Sequence, residues 1–263
     1  MHDTLTAKPY RLVWFQHFHK AGGSSVIAEA GLNGERFYPR HYNGNPVDEN
    51  GWEIPIWRMD EAEQRAFVDH CETLGVTFVA TEWGSQIYPA LRDDPRVFSL
   101  TFLRDPWDRL VSNYRYAMAR GNAPATPIDQ FFPHHSLMFR QPEYYTRMLA
   151  GGLGVCKAGD AALAAAAGEA LAAIDFRADL YNKNAFQALC HRLGWTNHAV
   201  VSNKTPGLAM GALQQAARGD FGFLYRNIKL RSEQWNGIKA FRPRFEEMNP
   251  LDRALFDGLE ESC

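Results

Sequence analysis

The chain is short of the features that would assign it to most specialised classes. It has four cysteines in 263 residues, Cys71, Cys156, Cys190 and Cys263, and no two of them form a CxxC pair. Neither a zinc knuckle nor a small disulfide scaffold is suggested, and a reducing compartment fits best. Long apolar runs are missing as well. No window approaches the roughly 18 to 20 residues that span a bilayer. The opening MHDTLTAKPYRL carries no signal-like apolar stretch. Cytoplasmic residence without membrane association is the expectation. Cys263 is the last residue, whereas a prenylation signal would place cysteine fourth from the end, so no lipid anchor is indicated. The formal net charge of −2 is too small to advertise nucleic acid or an anionic surface. Any anion site must be local.

What is present is an ordinary globular composition, 46% hydrophobic and 22% charged. The length allows one substantial α/β domain or two small ones, and no linker is clear enough to divide residues 1–263, which we read as one domain. Residues 11–18, RLVWFQHF, form an apolar run that reads as a strand. The glycines Gly22 and Gly23 follow, then SSVIAEAGL, a helix opening with two serines. Residues 36–59 are rich in Asn, Gly and Pro and read as an irregular surface excursion of the kind that builds binding sites. EAEQRAFVDHCETLG has helical periodicity, while GVTFVATEW and RVFSLTFL read as buried strands. Next comes LRDPWDRLVSNYRYAMAR, in which Asp105 can cap a helix beginning at Pro106, with Asp108 three residues beyond the cap as in a capping box. The remainder reads as mostly helical, including the Ala-rich stretch with Leu163, Leu171 and Ile174 on one side. Strands alternating with helices predict a parallel sheet flanked by helices.

A strand that ends in a glycine-containing turn and feeds a helix aims backbone N–H groups and the positive end of the helix dipole at one spot. In HFHKAGGSS, Gly22 and Gly23 allow close backbone approach, Lys20 supplies a movable cation, and Ser24 and Ser25 supply hydroxyls. Phosphate fits that chemistry. The order is not GxxxxGK[ST], because the lysine precedes the glycines, so a generic kinase or GTPase is disfavoured. Tight packing of strand, turn and helix would also account for the glycines.

These residues resemble the first motif of the sulfotransferases that use 3′-phosphoadenosine 5′-phosphosulfate (PAPS), particularly the carbohydrate-type branch, whose pattern is H-x-P-K-T-G-G-T-S. His17, Lys20, Gly22, Gly23 and Ser25 match, whereas His19 stands at the proline and Ala21 and Ser24 stand at the threonines. FSLTFLRDPWDRLVSNYRY, residues 98–116, resembles the second motif, with Arg104 and Ser112 matching. A third segment, EYYTRMLAGG at 143–152, matches N-x-Q-T-R-x-L at Thr146, Arg147 and Leu149 but departs at Glu143 and Tyr145. A fourth, VVSNKTPG, resembles a late loop that helps enclose the nucleotide, with Asn203, Lys204 and Thr205 as candidates. The resemblance implies a P-loop-like sulfotransferase fold in which Lys20, Ala21, Gly22, Gly23, Ser24 and Ser25 hold the 5′ phosphosulfate. Arg104 and Ser112 would hold the 3′ phosphate, with Asn203 and Lys204 closing the site. It further implies that PAPS is the donor, that 3′-phosphoadenosine 5′-phosphate (PAP) is the product, and that no metal is obligatory. From a helix start at Pro106, Ser112 lies about 9 Å along the axis, within reach of the same phosphate as Arg104. The planar fork of an arginine suits that phosphate.

In-line transfer needs a base for the acceptor proton. Ligands of open α/β sheets gather at the carboxyl ends of strands, where Glu82 falls. Related enzymes use a glutamate or histidine. Glu82 is therefore the first choice of base, although an edge carboxylate paired with an arginine would look the same in sequence. His17 and His19 face the same way on a strand, but no third ligand with a recognisable spacing accompanies them, which disfavours a metal site. His19, beside Lys20, is a candidate for a secondary catalytic or substrate role. His41, His134 and His135 read as surface or loop histidines. Trp57, Trp83 and Trp107 read equally as core or as walls of an acceptor pocket. The segment around NGNP at 43–46 is expected to shape that pocket, for a small-molecule or carbohydrate acceptor. Two other functions compete: a P-loop-like phosphotransferase using a nucleoside triphosphate, and a non-catalytic PAP-binding module.

Overall fold

The computed structural model describes residues 9–84, 86–120, 126–132, 138–151, 160–196 and 216–259. A four-stranded parallel sheet of order β4-β1-β5-β6 forms its centre, built from β1 (Leu12–Gln16), β4 (Phe78–Thr81), β5 (Val97–Leu103) and β6 (Phe176–Asp179). A small antiparallel hairpin, β2 (His41–Tyr42) and β3 (Asn45–Pro46), forms a second sheet of two strands. Strand β1 lies between two partners and is buried on both faces, as an unbroken apolar run requires. Its side chains alternate between two cores. Leu12 and Trp14 pack with α2 (Glu61–Leu74), α6 (Tyr144–Leu149) and α7 (Asp160–Ala173). Val13 and Phe15 pack with α1 (Gly23–Leu32) and α8 (Ala185–Leu193). A third cluster joins Trp107 and Leu110 of α4 (Pro106–Arg120) to Phe241 and Phe245 of α11 (Ile238–Glu247).

The strands at 11–18, 75–83 and 96–103 form within the expected segments. Strand β6 was not expected, and it differs in kind. It is four residues long, pairs with β5 alone and alternates buried with half-exposed positions, so it lacks the apolar run of its neighbours. Its register is set by Asp175, whose Oδ2 accepts from Ser99 N at 2.8 Å and Ser99 Oγ at 2.7 Å. Residues 36–59 also hold more regular structure than their composition indicates, in the hairpin and in a 3-10 turn over Ile56–Arg58. Asn43 and Gly44 have φ of 50° and 83°, the positive values that a tight two-residue hairpin turn demands. Gly44 O then accepts from Ala80 N at 3.0 Å, which fixes the hairpin against β4.

Helix α4 begins at Pro106, and Asp105 Oδ1 accepts from Asp108 N at 3.0 Å as expected of a cap. The other Asp105 oxygen is held by Arg253 Nη1 at 2.6 Å. Arg253 lies on α12 (Pro250–Asp257), which follows α9 (Phe221–Lys229), α10 (Glu233–Asn236) and α11. Helix α2 starts with a full capping box, Asp60 with Glu63, and ends at left-handed Gly75. Among the described residues, no helix is long and apolar enough to cross a membrane.

Candidate functional site

Strand β1 ends at Gln16, and the loop of residues 17–22 carries the chain into α1. Two backbone features make that turn. Lys20 has φ 65°, a left-handed conformation that disfavours any residue with a Cβ, and Gly22 has φ 85°. A Cβ on Gly22 would lie 2.3 Å from Leu180 Cδ1, and one on Gly23 would lie 1.9 Å from His17 Nε2. Gly22 is therefore required by the turn and Gly23 by the close approach of the His17 ring. Helix α1 starts at Gly23 with Gly22 as its cap, one residue before the serines expected to open it, and the serines occupy its first turn. No side chain caps it and no acidic residue sits in that turn. The positive end of the helix is open to an anion.

The loop forms one wall of a cleft of about 840 Å³ at the carboxyl ends of the strands. His17, His19, Lys20, Gly22, Gly23, Ser24 and Ser25 come from the loop and α1. Glu82 and Trp83 come from the end of β4, and Arg104, Ser112 and Tyr116 from β5 and α4. Tyr42 and Asn43 of the hairpin, with Phe139 and Leu180, complete the wall. The catalytic and nucleotide-holding residues expected between 17 and 112 thus converge on one place, with one exception. Ala21 is 1% exposed in the apolar core, and its N–H is spent on Phe18 O at 3.0 Å. Asn203, Lys204 and Thr205 lie outside the described residues, as do His134 and His135.

Glu82 is the hub of the charged groups. Its Oε1 lies 2.9 Å from His19 Nδ1, and its Oε2 lies 3.8 Å from His17 Nδ1. Burial opposes ionisation of Glu82, but the hydrogen bond from His19 and the positive charge of His17, His19 and Lys20 together outweigh it. The carboxyl is held below its ordinary range. Burial lowers the His17 imidazole, against the pull of Glu82. Lys20 Nζ rests 4.0 Å above the Tyr116 ring. Arg104 faces Tyr181 at 5.2 Å, and its buried Nε has no hydrogen-bond partner among the described residues. That orphan donor, with the uncapped helix, is what an anionic ligand would satisfy. No group of three or more His, Cys, Asp or Glu among the described residues is arranged to hold a metal ion.

Several supporting residues were not singled out from the sequence. Tyr145 OH donates to Arg104 O at 3.0 Å and lies 3.1 Å from Arg104 N, while Tyr144 OH accepts from His19 N at 3.0 Å. The adjacent tyrosines of α6 thus brace both halves of the cleft. Arg109 is 1% exposed and lies 4.1 Å over Tyr144. Tyr116 could have been found, since it follows Ser112 by one helical turn. The three tryptophans separate: Trp107 is core against Phe245, Trp57 packs beside Gly84, and Trp83 lines the cleft. His41 stacks on Phe37 at 4.8 Å.

Fold and site together define an α/β protein with an anion-receptive cleft, lined by a lysine, an arginine and a histidine-bound glutamate, at the carboxyl ends of a parallel sheet. No family model, no curated protein sequence and no solved structure matches the chain.

Proposed function

We propose that the chain is a PAPS-dependent sulfotransferase with the corresponding P-loop-like fold, moving a sulfuryl group to a hydroxyl or amine acceptor and releasing PAP. The observation that carries this reading is the convergence of the loop at 17–25 with Arg104, Ser112 and Glu82 on one cleft. Two anion-binding elements at separate strand ends suit a nucleotide with phosphate on both sides of its ribose. In the reaction the acceptor oxygen forms its bond to sulfur as its proton passes to Glu82. The bond between sulfur and the bridging oxygen breaks, and PAP leaves with that oxygen, its new charge steadied by Lys20 and the α1 terminus. Lys20 reaches that oxygen by leaving the Tyr116 ring.

PAP should raise the melting temperature, because a ligand bound only by the folded form stabilises it by about 2.7 kcal/mol at roughly a hundredfold excess. No shift at saturating PAP, or a Mg²⁺-dependent preference for ATP, would overturn the reading. Arg104→Ala should weaken PAP binding roughly 10- to 100-fold, the loss of charge-assisted bonds worth about 1.5–3 kcal/mol. Lys20→Ala should reduce turnover of radiolabelled PAPS more than PAP affinity. Glu82→Gln should keep PAP binding and lower transfer by about 10²- to 10⁴-fold. Unchanged turnover in Glu82→Gln removes it as the base.

A further inference from the structure

Beside Glu82 runs a chain of hydrogen bonds whose direction is fixed at one end. Phe139 O accepts from Arg109 Nη1 at 3.2 Å and from Asn113 Nδ2 at 3.3 Å. A carbonyl oxygen has only lone pairs to offer, so the Asn113 amide turns its NH₂ toward Phe139 and its Oδ1 away. That Oδ1 stands 3.1 Å from His19 Nε2, and it too can only accept. Nε2 must therefore carry a hydrogen. The other ring nitrogen, Nδ1, stands 2.9 Å from Glu82 Oε1.

We propose that Asn113 is a positioning residue that keeps a hydrogen on His19 Nε2 while Nδ1 donates its own hydrogen to the Glu82 carboxylate. A ring with hydrogen on Nδ1 alone would set a bare Nε2 against Oδ1, and a ring with hydrogen on Nε2 alone would set a bare Nδ1 against the Glu82 carboxylate. Asn113 is 1% exposed, so solvent does not compete for its amide. The ring is held from three further directions: Phe139 stacks on it at 4.6 Å, Tyr116 meets it edge-on at 6.2 Å, and Tyr144 OH holds its backbone N–H. The charged and titratable groups around the pair are His17 at 3.8 Å from Glu82, Lys20 on Tyr116, and Arg109 through the Phe139 carbonyl. The ring form stands on these bonds alone. Its use rests on the proposed function: with both ring nitrogens already carrying hydrogen, Glu82 and not His19 takes the acceptor proton.

The full chain labelled with ¹⁵N-histidine reports the ring form through long-range ¹⁵N–¹H correlation spectra, the His19 signals being identified by their loss in His19→Gln. The wild-type protein should show a protonated Nε2. In Asn113→Leu, which removes the acceptor, Nε2 should lose its hydrogen while Nδ1 keeps its own, and the Nε2 resonance should move far downfield. A bare Nε2 in the wild type, or a His19 pattern unchanged in Asn113→Leu, overturns the proposal. Should Asn113→Leu fail to fold, Asn113→Asp still accepts from Nε2 and must keep it protonated; loss of that hydrogen overturns the proposal equally. Titrating PAP into the same samples keeps the two ideas apart. Absence of PAP binding removes the sulfotransferase reading and leaves the ring form standing.

Discussion

Gly23 illustrates how a residue chosen for one reason turns out to be needed for another. From sequence it is a glycine that lets backbone approach an anion; in the fold it is also the residue beneath which the His17 ring lies, at 1.9 Å from where a Cβ would be. Gly23→Ala should therefore destabilise the protein by about 1–3 kcal/mol, the usual range for overpacking a filled site. Chemical denaturation of Gly23→Ala and of Gly23→Ala with His17→Ala checks this. The double variant should recover part of the loss by coupling between neighbours. Strict additivity would show that the two do not meet. Lys20 carries a related constraint, since its φ of 65° places strain at the residue assigned the charge of the leaving oxygen.

Among the helices, α6 and α12 cap each other. Glu143 accepts from Leu251 N at 3.0 Å and Asp252 N at 2.7 Å, at the start of α12. Asp252 in return accepts from Tyr145 N at 3.1 Å and Thr146 N at 2.8 Å, at the start of α6. Burial pushes the Glu143 carboxyl up to about 7, against the lowering effect of the two amides, and burial also raises Asp252. A carboxyl raised on folding binds its proton more tightly when folded. Its contribution to stability is thus fully present below its unfolded value and is lost as pH rises through about 7. The stability of the wild type relative to Glu143→Gln should fall between roughly pH 4.5 and 7 and level off above, by on the order of 1–3 kcal/mol. A difference that is flat, or that rises with pH, contradicts this. Both Glu143 and Tyr145 have structural roles here. Glu143 caps the helix opposite, and the Tyr145 hydroxyl holds the Arg104 backbone.

Across the whole molecule, the cleft draws residues from positions 17 to 180 to the carboxyl ends of the strands. Under the proposed function, PAP should slow amide exchange in residues 19–25 and 104–112 together, while α11 stays unchanged. Protection confined to one segment would mean that the two anion elements do not share a ligand. The features legible in the chain are local: the run that becomes β1, the glycine loop, the Asp105 cap and the start of α4 at Pro106. Each depends on neighbours within a few positions, and period, caps and backbone preference register there. Long-range packing alone brings Glu82 to His19, buries Arg109 against Tyr144 and turns Ala21 to the core. It alone decided that four residues as polar as FRAD form a strand. These outcomes depend on partners tens to more than a hundred residues away, such as His19 with Tyr144, and burial by distant partners leaves no period or spacing in the chain itself.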